Sequence, residues 1–171
     1  MIAPLHPASI PADLLSKECD IEFVRRSGPG GQHRNKVSTA VVLTHRPTGI
    51  RAEANERRSQ AENRSVALFR LRVLLAIDVR MVRPKDDPDA RLWQSRLVGG
   101  RIEISPSHDD FPTLLAWALD IMAENDFDPK SAAGILECSA SQLIKFLAKE
   151  PKALAMVNRH RTERGHHNLH A

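Results

Sequence analysis

The stretch CDIEFVRR, residues 19–26, alternates apolar and polar side chains through Ile21 and Phe23, the period of two expected of a strand with one buried face. SGPGGQHRN follows with three glycines and one proline in nine residues and cannot continue a strand or a helix. KVSTAVVLTHR is rich in Val and Thr and reads as the next strand. Pro47-Thr48-Gly49 then turns the chain into IRAEAN, where Ile50, Ala52 and Ala54 alternate with polar residues, so an antiparallel hairpin is expected. Ser59 with Glu62 three residues later is a capping box, and Leu68, Leu71, Leu75, Val79 and Val82 recur at helical spacing as far as Pro84. One long amphipathic helix should pack on a small twisted sheet. Ahead of these elements, PLHPASIPADLL is proline-punctuated and reads as a lead-in ending in a short helical turn.

KDDPDARLWQSRLVGG is polar and turn-rich apart from Leu92 and Trp93, and RIEIS after it alternates like a short strand. A boundary near Pro106 divides the chain into residues 1–106 and residues 107–171. Beyond it the pattern is helical, with FPTLLAWALDIMAEN, DPKSAAGILE and SASQLIKFLAKEPKALAMVNRHRTERG as three short helices. Asp128 before Pro129, and Ser139 three residues before Gln142, are start signals. SAAGILECSASQLIKFL has the outline of a helix-turn-helix. The expected fold class is α+β: a mostly antiparallel sheet, a long packed helix and a protruding glycine-rich loop, followed by a small helical domain.

Composition adds limits. The chain has 171 residues with 42% hydrophobic and 27% charged, enough to bury a core in one domain or two small ones. No apolar run reaches the roughly 18 residues that span a bilayer, and the N-terminus lacks a basic start and an apolar core, so a cytoplasmic protein with no membrane partner is expected. Cys19 and Cys138 form neither a disulfide framework nor a zinc pattern, and His166, His167 and His170 lack carboxylate or thiolate partners in a tail expected to be loose, so no metal is expected. Trp93 and Trp117 are expected in packing rather than as base-stacking platforms.

Charge is placed unevenly. From Phe23 to Arg58 there are eight Lys/Arg and only two acids, Glu53 and Glu56, a density that suits a polyanion such as nucleic acid and equally suits a solvated surface.

The chemistry concentrates in Ser27-Gly28-Pro29-Gly30-Gly31-Gln32-His33-Arg34-Asn35-Lys36. Gly30-Gly31 lets the backbone at Gln32 approach another molecule closely. A glutamine amide has no proton to trade near neutrality, so it orients water or a product rather than acting as a general base, and a backbone N–H beside it suits a developing oxyanion. By itself, Gly-Gly-Gln is also what an ordinary glycine-rich hairpin loop looks like. His33 has no Ser or Asp at a triad spacing and is not read as a base.

The stretch VRRSGPGGQHRNKVSTAVVLTHRPTGIRAEANERRSQAENRSVALFRLR closely resembles the catalytic domain of class I peptide chain release factors and their ribosome-rescue relatives. The resemblance lies in Gly-Gly-Gln, in Asn35-Lys36, in the turn His45-Arg46-Pro47-Thr48-Gly49-Ile50, and in Arg58-Ser59-Gln60 with Asn63. It implies hydrolysis of the ester between a nascent peptide and transfer RNA in the peptidyl transferase centre of the large ribosomal subunit, with peptidyl-tRNA as substrate. The resemblance makes Gln32 central, acting chiefly through its backbone N–H, with Gly30 and Gly31 permitting the approach. It implies no metal and no organic cofactor. It also implies a methyltransferase partner that modifies the Gln32 side chain.

Arg25, Arg26, His33, Arg34 and Lys36 flank the loop, where phosphate contacts would hold it in ribosomal RNA without reading sequence. Ser59, Gln60 and Asn63 are explained structurally, as a cap and as polar side chains tying the helix to the turn before it. A stop-codon-reading domain does not fit beside the catalytic one in 171 residues, so codon-independent rescue of stalled ribosomes or large subunits is the expected function. The Lys/Arg-rich tail of small rescue hydrolases is reduced here to RHRTERGHHNLHA. Gln142, Lys145 and Lys149 of the helical part would lie along one helix and could touch RNA, or that part is a packing or partner-binding appendage. Two other functions stay open: a nucleic-acid-binding regulator built on the helix-turn-helix outline, and a noncatalytic ribosome-associated factor. The oligomeric state is left open.

Overall fold

The structure, a computed structural model, describes residues 5–24, 39–84 and 86–171. It divides into two units, residues 10–75 and residues 1–9 with 76–171. The fold is α+β, and each unit has its own apolar core.

In the unit of residues 10–75, a short helix α1 (Ala12–Lys17) leads into strands β1 (Cys19–Val24), β2 (Ala40–His45) and β3 (Arg51–Ala54). They form an antiparallel sheet in the order β1-β2-β3. Phe23 pairs with Val41 and Val41 with Ala54; Ile21 pairs with Leu43 and Leu43 with Ala52. This register puts the alternating apolar residues of all three strands on one face. Helix α2 (Gln60–Asp78) follows. Its Ala67, Leu71 and Leu75 are buried in this unit along with Leu15, Val41 and Leu43, each large side chain contributing roughly 1.5–3 kcal/mol of transfer free energy.

Helix α2 ends at Asp78, earlier than its apolar spacing predicts, and Val82 is 88% exposed. The backbone beyond it finds partners outside the helix, as buried polar groups require. The carbonyl of Val79 accepts from His6, the N–H of Met81 donates to Asp120, and the N–H of Arg83 donates to Glu124.

The second unit contains the turn Pro7–Ser9, helix α3 (Pro88–Ser95), a two-stranded ribbon of β4 (Leu97–Val98) and β5 (Arg101–Ile102), and helices α4 (Phe111–Glu124), α5 (Pro129–Ile135), α6 (Ala140–Leu147) and α7 (Pro151–Glu163). Phe111 to Met122 are all buried, so α4 is the central element of this unit. Residues 76–106 pack with the helices that follow. Trp93 donates its indole N–H to the carbonyl of Leu136 at 2.9 Å and meets Phe146 edge-on at 5.3 Å. Both tryptophans are in packing, with Trp117 buried beside the Arg83 guanidinium, 5.5 Å from the ring centre.

Three expectations are corrected in this unit. The polar stretch around Asp87 is helical, because Asp87 accepts from the N–H of Asp89 at 2.8 Å and Pro88 occupies the first turn, so residues read as turn formers start a helix. The last helical stretch breaks at Ala148–Glu150 into two helices, since Pro151 cannot continue α6 and Glu150 caps α7 through the N–H of Lys152. The tail is fastened: Asn158 exchanges two hydrogen bonds with the backbone of Leu169, and Arg161 donates to the carbonyl of His167. The predicted caps Asp128 and Ser139 do accept from the N–H groups of Ser131 and Gln142.

A buried charged cluster ties Pro7–Ser9 into this unit. The Arg83 guanidinium bonds Asp120 at 2.6 Å, Asp89 at 3.0 Å and Asp87 at 3.1 Å, and Arg80 bonds Asp120 at 2.8 Å. Ser9 donates to Asp89 at 2.6 Å. His6 accepts from the N–H of Ala8 at Nδ1, which leaves the proton on Nε2 to donate to the carbonyl of Val79.

Candidate functional site

Gly30, Gly31 and Gln32, and the cationic residues Arg25, Arg26, His33, Arg34 and Lys36, lie outside the described residues. The structure describes the two ends between which they are strung. The chain leaves β1 after Val24 and rejoins the sheet at Ala40, and these two residues pair directly across the antiparallel ladder. Both ends of the Gly-Gly-Gln segment are therefore held at the same end of one strand pair. Phe23, one residue inside that end, is 55% exposed, whereas Val41 opposite it is fully buried.

The return end is fastened a second time. Asn63, fully buried in the first turns of α2, donates from its amide to the carbonyl of Thr39 at 2.7 Å and to the carbonyl of Arg57 at 2.9 Å. Its side-chain oxygen accepts from the N–H of Arg57 at 2.9 Å. One amide thus closes the turn before α2 and holds the residue just before β2. Ser59 accepts from the N–H of Glu62, completing the start of the helix. The tie between helix and turn is as the sequence predicts; the bond to Thr39 is not legible in sequence, because it joins positions 24 residues apart.

The far end of the hairpin is built around His45. Its ring is buried, with Nδ1 2.8 Å from the Thr48 hydroxyl and Nε2 3.2 Å from Glu18. Gly49 adopts φ +72°, which a side chain would resist, and its N–H donates to the carbonyl of His45 at 2.7 Å. Arg46 reaches back to Asp20 and to the carbonyl of Lys17. The His45–Ile50 motif is accordingly the turn that sets the register of β2 against β3.

The acids of this unit are largely taken up. Asp20 pairs with Arg46, Glu22 with Arg51 and Glu56 with Arg70. The Arg70 guanidinium holds the Glu56 carboxyl down at about 2, and Arg70 also donates to the carbonyl of Glu53 at 2.8 Å. Residues 10–75 carry 12 Lys/Arg against 7 Asp/Glu, so the unit is net +5.

Among the described residues no group of His, Cys, Asp or Glu is placed to hold a metal ion, and no helix is long and apolar enough to cross a membrane. Burial pushes both cysteine thiols up, away from the reactive thiolate.

The pattern of the RF-1 domain matches residues 8–101, more than half of the sequence. The chain belongs to the RF-1 domain family. Among its relatives, a chloroplastic peptide chain release factor of Arabidopsis thaliana is 42% identical over 77 residues, which is 44% of this chain and 17% of that protein. Peptide chain release factor 2 of Lactiplantibacillus plantarum is 45% identical over 74 residues, 43% of this chain and 20% of that one. Peptide chain release factor 1 of Rickettsia typhi is 40% identical over 78 residues, 46% and 22%. The chain spans about a fifth of the length of these curated relatives. Within the RF-1 domain, the β1-β2 pair and the Asn63 tie hold the two ends of the Gly-Gly-Gln segment, and the His45–Ile50 turn closes the opposite end of the sheet.

Proposed function

We propose that this protein hydrolyses the ester of peptidyl-tRNA on the ribosome, releasing the nascent peptide. The observation that carries the reading is the Gly30-Gly31-Gln32 sequence, inside the span matched to the RF-1 domain and between two strand ends that pair across one ladder. The backbone N–H of Gln32 is the group proposed to meet the developing oxyanion or the departing ribose hydroxyl, and its side chain to place or exclude water. Gly30 and Gly31 allow that approach. Arg25, Arg26, His33, Arg34 and Lys36 hold the segment against ribosomal RNA through phosphates. Much of the rate enhancement then comes from positioning, with the ribosome and transfer RNA completing the site, so the isolated protein is nearly inert.

The finer part of the reading is codon-independent rescue of stalled ribosomes or large subunits in the cytoplasm, with Gln32 the site of side-chain methylation. Release of labelled peptide is compared on ribosomes carrying truncated, stop-codon and sense-codon messages. Rescue predicts the fastest release on truncated message and no preference for a stop codon; a strict stop-codon requirement contradicts it.

A further inference from the structure

The Asn63 amide that holds Thr39 stands among three arginines in sequence, and one of them is bound to it through its backbone. Arg57 is bound to it through both its N–H and its carbonyl, Arg58 follows Arg57, and Arg64 follows Asn63 on α2. All three side chains are exposed. None of the three guanidiniums has a hydrogen-bonding or ion-pairing partner among the described residues, in contrast to Arg46, Arg51 and Arg70, each of which meets a carboxylate. The acids nearest in sequence do not relieve them. Glu56 is engaged by Arg70, and Glu62 makes no ion pair among the described residues.

Three like charges within eight residues of sequence repel one another, and an anion bound across them relieves that repulsion. A guanidinium is a planar, weakly hydrated fork matched to phosphate oxygens. Such groups, unpaired among the described residues, suit a polyanion whose phosphates are regularly spaced. We infer that Arg57, Arg58 and Arg64 form a phosphate-binding collar for RNA at the point where the Gly30-Gly31-Gln32 segment rejoins the sheet. The inference rests on the ribosomal reading above and adds positioning residues to it. A phosphate held by the collar fixes Arg57, and through Asn63 it fixes Thr39, one end of the catalytic segment.

The test is a triple variant, Arg57→Ala with Arg58→Ala and Arg64→Ala, beside the corresponding triple Lys variant. Binding to purified large-subunit ribosomal RNA and to ribosomes carrying peptidyl-tRNA in the peptidyl site is measured from about 50 to 200 mM salt, with peptide release followed in parallel. The Ala variant is expected to weaken binding by tenfold or more and to flatten the plot of log affinity against log salt by about 2 to 3, near one unit per lost phosphate contact. The Lys variant should keep most of that slope, and thermal unfolding should be the same for all three proteins because the side chains are exposed. Unchanged affinity and salt slope in the Ala variant, or a slope lost as fully with Lys as with Ala, overturns the collar. The RNA arm needs no catalysis, so the collar is decided there even if the wild-type protein releases no peptide, a result that would instead overturn the ribosomal reading.

Discussion

Asn63 reaches across 24 residues of sequence to hold the carbonyl of Thr39, at the end of the segment that carries Gly30-Gly31-Gln32. The same side chain makes two further hydrogen bonds, both to the backbone of Arg57, and it is fully buried. Asn63→Ala leaves three backbone groups without their partner, which costs about 1–3 kcal/mol for each one that water cannot reach. The expected result is a lowered midpoint in urea, together with slower peptide release at saturating ribosomes. Asn63→Asp keeps the acceptor for the Arg57 N–H but loses both donors, and should rescue neither measurement fully.

His6 makes stability depend on pH. Burial, opposed by its hydrogen bond to Val79 and reinforced by Arg83 and Arg80, lowers its pKa from 6.5 to about 3. Asp120 also faces it at 4.0 Å. The unfolded chain therefore takes up a proton that the folded ring refuses between those two values. The contribution is fully present above pH 6.5 and is lost as pH falls toward 3, with a slope near 1.4 kcal/mol per pH unit for one proton. Urea unfolding of His6→Gln across pH 4 to 7 should show that one-proton slope removed relative to wild type.

Asp120 accepts from both Arg80 and Arg83 with its side chain fully buried, and the Arg83 side chain is only 2% exposed. Asp120→Ala takes one carboxylate from Arg80 and Arg83, while Arg83 keeps Asp87 and Asp89, and should cost about 3–5 kcal/mol, the usual cost of breaking a buried pair from one side. Adding Arg83→Met should recover little of that loss, because Asp87 and Asp89 then lose their cation as well. A double variant markedly more stable than the single one would show that the Arg83 charge is what makes the single variant costly.

The strands and the β2-β3 hairpin are legible in sequence, because the period of two in residues 19–24 and 51–54 and the turn at Gly49 announce them, whereas the pairing of β1 with β2 is seen only in the structure. Gly49 announced that turn, and the Asp128 and Ser139 caps announced two helices. The early end of α2 was not legible, because Val79 and Val82 keep the helical period while His6, Asp120 and Glu124, distant in sequence, take their neighbours' backbone groups. Helix α3 was hidden by the ambiguity of Asp-Asp-Pro-Asp, which suits a turn and a helix start alike. At the site, the proposed chemistry rests on three adjacent residues read from sequence, but the Asn63 tie between segment and helix exists only in three dimensions.

Gly49→Ala separates conformation from packing. The position has φ +72°, and an added Cβ meets nothing within 4 Å, so the expected cost is roughly 1 kcal/mol of backbone strain alone. Thermal unfolding should show this modest loss, with ribosome binding retained.

The most direct measurement of the central claim is single-turnover release of labelled peptide from ribosomes with peptidyl-tRNA in the peptidyl site, using wild-type protein and Gln32→Ala at concentrations where both are bound. Ribosome binding retained by Gln32→Ala with peptide release abolished is the predicted result. Equal release by the two proteins, or no release by the wild type from any ribosomal complex, would contradict the assignment of hydrolysis to the Gly-Gly-Gln segment.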